Sequence, residues 1–268
     1  MKLDSAAQSI DLFNGNILLG LKNGSIVEMA WSADGKAKPK TVMISHCDGE
    51  TWGLEVCPTE GGETRLITSG DDNRILAYNP KTFEALCEGQ VNDKKAKKKK
   101  GVRGGASSMS SMPANNQSRC VAYNPSNQHL AVADNTGVVT IRKVDWAEVD
   151  AGKAGALDNV IETLFKKDKN TEWIECMSYS PCGKYLAVGS HDNVIYVMEI
   201  KKADKYAKAE KLKGHSSFIT SLDWSQDSAN LRSVCGAYEL LFFKDSGKKG
   251  FVRDPSGASN TVSTVWNS

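Results

Sequence analysis

Within GHSSFITSLDWSQD, Gly214 to Asp227, a histidine, two adjacent serines, a threonine and an aspartate stand close together. His215 with Ser216 or Ser217 and Asp223 has the residue types of a hydrolase triad, in which an imidazole takes a hydroxyl proton and a carboxylate orients the ring. The spacing argues against that chemistry. A strand between Phe218 and Trp224 sends alternate side chains to opposite faces, and no Gly-x-Ser-x-Gly elbow or oxyanion loop accompanies it. His215 is therefore expected to have a structural role, and the chain is read as a non-enzyme.

Metal chemistry is the second possibility by residue type. His46, His129 and His191 with Cys47 and Cys57 offer ligands, but their spacing matches no tetrahedral zinc module. The seven cysteines, from Cys47 to Cys235, form no CxxC pair and are odd in number. They read as buried thiols in a reducing compartment, with no disulfide framework. No cofactor and no metal site is expected.

The third possibility is charge. NDKKAKKKKGVRGGASSMSSMPANNQ, residues 92–117, carries Lys94, Lys95, Lys97, Lys98, Lys99, Lys100 and Arg103 ahead of a Gly/Ser/Met/Pro stretch with little to bury. Such a segment cannot offset its ordering entropy and is expected to be a mobile insertion. The net charge of the 268-residue chain is only +2, so any electrostatic function must be local. Three uses fit a lysine run: a solvated loop, a nucleic-acid patch, or a tether to an acidic protein surface. Aromatic residues are not interleaved as single-strand binders require, which counts against nucleic acid.

What must position these residues is a repeated unit. LLGLKNGSIVEM (18–29), ITSGDDNRILAY (67–78), AVADNTGVVTIR (131–142), AVGSHDNVIYVM (187–198) and SVCGAYELLFF (233–243) each join two apolar runs through a turn, as hairpins do. Aligning Asn23, Asp72, Thr136, Asp192 and Ala237 as equivalent turn positions gives spacings of 49, 64, 56 and 45 residues. That approaches the period of propeller blades once the insertion is allowed for.

A further short strand precedes each hairpin from the second onward: LEVCPTEGG (54–62), CVAYNPSNQ (120–128), CMSYSPCGK (176–184) and SLDWSQDSA (221–229). With an outer strand after each hairpin, the unit has four antiparallel strands, and radial repetition of such sheets is a β-propeller. The fold class is all-β, with about five recognisable blades over residues 1–268. The ending TVSTVWNS reads as a strand just beginning, so the ring is either partial or closed by the N-terminal segment. Trp224 is expected in the core, and Trp52 and Trp173 are read, less strongly, the same way, because each lies in or beside a first strand.

Composition agrees with a globular protein: 40% of residues are hydrophobic and 25% charged. No apolar run approaches the roughly 20 residues of a membrane span, and the start lacks a secretory pattern. No membrane partner is expected, and the cytoplasm is the expected compartment.

GHSSFITSLDWSQD with the CGAYELLFF hairpin, GSHDNVIYVMEI (189–200) and HCDGETWGLEVCP (46–58) resemble blades of the echinoderm microtubule-associated protein-like (EMAP-like) WD-repeat family. The likeness runs in order over nearly the whole chain except 92–117, and covers most of that family's second, C-terminal propeller. WD-repeat blades link a Gly-His pair, a Ser/Thr, a turn Asp and a third-strand Trp by hydrogen bonds. The resemblance thus implies pins at His46, Asp72, Asp192 and His215, with Tyr78 and Phe243 at the aromatic position. No blade carries the full set: Ala237 stands where Asp is expected, and Asn170 where His is expected. The resemblance further implies a cytoskeletal module that binds tubulin or microtubules, in the cytoplasm or in a cilium or flagellum. The alternative is a WD-repeat scaffold that assembles other proteins without tubulin.

Overall fold

The computed structural model describes residues 3, 5–13, 15–30, 38–47, 49–91, 117–165, 172–201, 204–207, 210–247, 249–261 and 264–267. Five four-stranded antiparallel sheets follow one another, each a meander in sequence order. Blade 1 holds β1 (Ala7–Phe13), β2 (Asn16–Leu21), β3 (Ile26–Ala30) and β4 (Lys40–Met43). Blade 2 holds β5 (Thr51–Pro58), β6 (Thr64–Gly70), β7 (Arg74–Tyr78) and β8 (Ala85–Gln90). Blade 3 holds β9 (Ser118–Asn124), β10 (His129–Asp134), β11 (Val139–Lys143) and β12 (Val160–Leu164), with a short helix α1 (Trp146–Asp150) between the last two. Blade 4 holds β13 (Ile174–Tyr179), β14 (Tyr185–Ser190), β15 (Ile195–Glu199) and β16 (Glu210–Leu212). Blade 5 holds β17 (Ile219–Trp224), β18 (Asn230–Cys235), β19 (Leu240–Asp245) and β20 (Phe251–Arg253), followed by α2 (Gly257–Asn260). This is a WD-repeat β-propeller whose sheets do not close a ring among the described residues.

The turn between the second and third strands of each blade explains why the hairpins were legible. Its left-handed position is filled by Gly24, Asn73, Gly137 and Asn193 in blades 1 to 4. Glycine and asparagine tolerate that conformation at little steric cost. Blade 5 departs from the rule by placing Tyr238 there, at φ 61°. Its side chain is 93% exposed, so nothing packs against it to offset the strain.

The blades hold together through apolar side chains between neighbouring sheets. Cys57, Ile67, Ile75, Tyr123, Leu130 and Trp146 fill the space between blades 2 and 3. Ala187, Ile195, Ile219, Trp224 and Phe243 do so between blades 4 and 5. Each such side chain contributes roughly 1.5–3 kcal/mol on burial. The sheets approach closely at Gly189 in β14, where a Cβ would lie 2.7 Å from Ile219 Cγ2. Polar bonds cross-link these layers: Trp146 Nε1 donates to Tyr123 Oη at 2.7 Å, and Arg142 donates to the carbonyls of Leu157 and Val91, each at 2.7 Å. A buried chain of His129 Nδ1, Tyr206 Oη and Tyr179 Oη, at 2.9 and 2.7 Å, joins blades 3 and 4.

Blade 1 differs from the others. Its own core is small, built on Leu19, Leu21 and Val27, while Ile10 and Leu12 of β1 are exposed. It meets blade 2 through polar bonds, Arg74 Nη1 to Ser45 O at 2.8 Å and Tyr78 Oη to Ile44 O at 3.2 Å. The pattern reading did not foresee β1, because a strand whose apolar side chains face solvent carries a weak burial signal.

Among the described residues the ending makes one antiparallel bridge, Ser225 with Trp266, against blade 5. The Arg232 guanidinium covers the Trp266 ring at 4.3 Å, which holds that tail in place. Two expectations are corrected. Not all the cysteines are buried, for Cys182 is exposed and Cys47 and Cys176 are partly so; no disulfide joins any of the seven. Finally, Trp52 and Trp173 are not core residues: each is 43% exposed, whereas Trp224 is fully buried.

Candidate interaction face

In an antiparallel meander the first and third strands begin, and the second and fourth end, at one edge of the blade. That edge of blades 2 to 5 collects a row of flat side chains. The Arg119 guanidinium, at the start of β9, lies between the rings of Trp52 and Trp173, 4.5 and 4.6 Å from their centroids. Trp173 continues to His191 at 5.3 Å, and His191 stacks on Phe218 at 4.6 Å. Five side chains from four blades therefore form one continuous stack. Phe218 is 37% exposed, so three rings of the stack are open to solvent.

Carboxylates hold the row in place. Asp71 accepts from Trp52 Nε1 at 3.0 Å and lies 3.9 Å from Arg119 Nη1. Glu175 pairs with His191 Nε2 at 3.0 Å. Arg119 Nε is buried without a hydrogen bond. Tryptophan and arginine are the residue types that dominate binding energy at protein interfaces, and here they are tied to one another and to carboxylates within the chain. Beneath the row, in the first strand of blade 2, burial pushes the Glu55 carboxyl up to about 7 against the lowering effect of a backbone hydrogen bond from Tyr123.

The four sequence-predicted pins take three different forms. His46 joins Asp72 through Nδ1 at 2.8 Å and Thr68 through Nε2 at 2.8 Å. Asp72 also accepts from the backbone of Cys47 and Arg74, at 3.0 and 3.1 Å. Burial raises its carboxyl, but these hydrogen bonds outweigh that and hold it below the ordinary carboxylate range. Asp192 instead accepts from Tyr196 Oη at 2.5 Å within its own hairpin. His215 bonds through Nε2 to Ser233 Oγ at 2.7 Å. Burial, helped by Arg253, moves its imidazole below the ordinary histidine range despite the neighbouring Glu239.

Glu239 is the residue at this pin that sequence reasoning missed. With Ala237 in the aspartate position, Glu239 reaches back from two residues along the turn. It accepts from Ser216 N at 2.8 Å and Ser216 Oγ at 2.9 Å, and lies 3.5 Å from His215 Nδ1. The missing turn aspartate was the available signal. The triad types bond to other partners: Asp223 binds Arg232 at 2.6 Å, Ser216 binds Glu239, and His215 binds Ser233.

Lys94, Lys95, Lys97, Lys98, Lys99, Lys100 and Arg103 lie outside the described residues. The insertion that carries them leaves after β8 and returns at β9, so chain connectivity joins it to the blade edge that bears Arg119. Among the described residues, no helix is long and apolar enough to cross a membrane.

Comparison with known proteins agrees with this architecture. Residues 51–267 match the family model of the echinoderm microtubule-associated protein second β-propeller. The chain is 45% identical over 263 residues to the ciliary WD repeat-containing protein ctxp80 of Euplotoides octocarinatus, covering 97% of this chain and 32% of that protein. It is 30% identical over 227 residues to the 77 kDa echinoderm microtubule-associated protein of Lytechinus variegatus, covering 84% of this chain and 27% of that protein. It is 33% identical over 195 residues to mouse echinoderm microtubule-associated protein-like 2, covering 72% of this chain and 24% of that protein. The chain thus spans about a third or less of the length of these relatives. Because that family model covers β5 to the Trp266 bridge, the chain belongs to the echinoderm microtubule-associated protein family of WD-repeat proteins.

Proposed function

We propose that this chain is a non-catalytic cytoskeletal binding module that docks on tubulin or microtubules, in the cytoplasm and in a ciliary or flagellar setting. The observation that carries this reading is the rigid row Trp52, Arg119, Trp173, His191 and Phe218, an exposed interface-like surface on a chain of this family. The names of its relatives, microtubule-associated in one case and ciliary in another, support this choice of partner and setting. The row gives short-range contact. Lys94 to Arg103, joined to the same edge, adds salt-sensitive attraction to an acidic surface such as tubulin's tails.

Co-sedimentation with microtubules over a salt series tests both parts. Deleting 92–117 weakens binding at low salt and has little effect at high salt. Trp173→Ala weakens it at every salt concentration by about 1–2 kcal/mol, roughly 5- to 30-fold. A folded chain that fails to sediment with microtubules at low salt overturns the proposal. The row also suits a partner of another kind, which keeps a second reading, a WD-repeat scaffold without tubulin. Under that reading an affinity capture from lysate contains other proteins and no tubulin.

A further inference from the structure

The His215 pin differs from the His46 pin in one way that a hydrogen-bonded turn does not explain. In blade 2 both ring nitrogens have partners at 2.8 Å. In blade 5, Nε2 is bound by Ser233 while Nδ1, on a side chain 1% exposed, makes no hydrogen bond. Glu239 Oε2 stands 3.5 Å from it, longer than a good N–H···O bond.

A thiol completes the group. Cys235 ends β18 at the position where blade 2 has Gly70 at the end of β6: Cys235 pairs with Ile219 and Gly70 with Thr51, at the start of each first strand. A Cβ on Gly70 would lie 3.2 Å from His46 Nδ1, so a side chain at this position is aimed at the ring. Cys235 Sγ lies 3.2 Å from Glu239 Oε2, and the three ligand atoms of His215, Cys235 and Glu239 all fall within 4.8 Å of one another. Among the described residues this is the one group of three such side chains able to hold a metal.

We propose that His215 Nδ1, Cys235 Sγ and Glu239 Oε2 bind a zinc ion, with a fourth position open to solvent. A tetrahedral zinc with ordinary bond lengths separates nitrogen from oxygen by about 3.3 Å and sulfur from oxygen by about 3.6 Å. The observed 3.5 and 3.2 Å need only a few tenths of an ångström of adjustment. Imidazole, thiolate and carboxylate together favour zinc over harder cations. The outer contacts are those a ligand set needs: Ser233 fixes the far nitrogen of His215, and the Ser216 amide and hydroxyl hold the carboxylate. Binding replaces the thiol proton now directed at Glu239, and that proton leaves to solvent as the Zn–S bond forms. Glu239 is 37% exposed on its side chain, so the ion has a path in and a water completes the fourth position. Bound zinc ties the turn before β17 to the β18–β19 hairpin.

The test uses the full chain, stripped with a chelator and titrated with cobalt(II) chloride, then with zinc chloride. The expected result is a thiolate-to-cobalt charge-transfer band that saturates at one equivalent and is bleached by one equivalent of zinc. Cys235→Gly, which restores the blade 2 residue, abolishes the band, and Cys182→Ser, at the exposed thiol, leaves it intact. Glu239→Gln weakens cobalt binding by at least the roughly 10-fold that even outer-shell changes cost. Zinc raises the thermal midpoint of the parent chain and leaves that of Cys235→Gly unmoved. Absence of the band, or a band that survives Cys235→Gly, overturns the proposal.

Discussion

Blades 2 and 5 solve the same problem with different residues, and the difference separates a closed polar network from an open one. In blade 2, Asp72 lies inside the turn, is buried, and satisfies His46 and two backbone amides. Every polar group in that pin has a partner, so the pin stiffens the turn and has no capacity left for a ligand. In blade 5 the carboxylate comes from Glu239, longer and partly exposed, and a thiol stands where blade 2 has glycine. The first arrangement is a piece of architecture. The second keeps a buried ring nitrogen facing a carboxylate and a sulfur, which is a ligand set in all but the ion.

The largest expected effect of breaking this contrast falls on blade 2. Asp72→Ala removes the acceptor of three bonds and leaves His46 Nδ1 and two amides unpaired, at a cost of about 3 kcal/mol in urea unfolding. His215→Ala, measured in chelator, costs about 1 kcal/mol, because Ser233 alone loses its partner. Equal losses in the two variants would show that the pins do not differ as their bonding implies.

Tyr238→Asn, which gives blade 5 the turn residue of blade 2, should stabilise the chain by roughly 0.5–1 kcal/mol through relief of a left-handed tyrosine. Thermal unfolding checks the sign; a destabilised variant would mean that the exposed ring makes a contact that offsets its strain.

The smallest effect is the order in which the pins loosen in acid. His215 titrates below the ordinary histidine range, so its neutral form favours the folded chain. That contribution is complete above about pH 6.5 and is lost as pH falls from there toward the lowered folded value. Asp72 titrates below the ordinary carboxylate range, so its contribution is present above about pH 3.9 and is lost only below that. Hydrogen exchange at pH 5, corrected for intrinsic rates and compared with pH 7.5, should reveal faster opening at the Ser216 amide and none at the Cys47 amide.

How much was legible beforehand follows from which signals are local. The hairpins were, since an apolar run, a Gly or Asn turn and a second apolar run state their own geometry, as Leu18 to Met29 and Ile67 to Tyr78 do. Trp224 as core was legible too, and Asp223 of the same strand pairs with Arg232. Trp52 and Trp173 misled, because their place in or beside a first strand says nothing about whether the adjacent blade covers them. The stack on Arg119 depends on three blades meeting at one edge, and no window of sequence contains it. Glu239 was hidden for a related reason: the turn rule names a position, and a longer side chain from another position can fill the same role.

The sequence by itself determined the central hairpins of the blades, their order and the family, because strand alternation and turn chemistry act over a few neighbours in the chain. Tertiary structure alone decided which side chains share a surface. Arg119 lies between Trp52 and Trp173, and His215 meets Cys235 and Glu239, only because separate strands and turns come within a few ångströms, a proximity that packing creates and chain spacing does not encode.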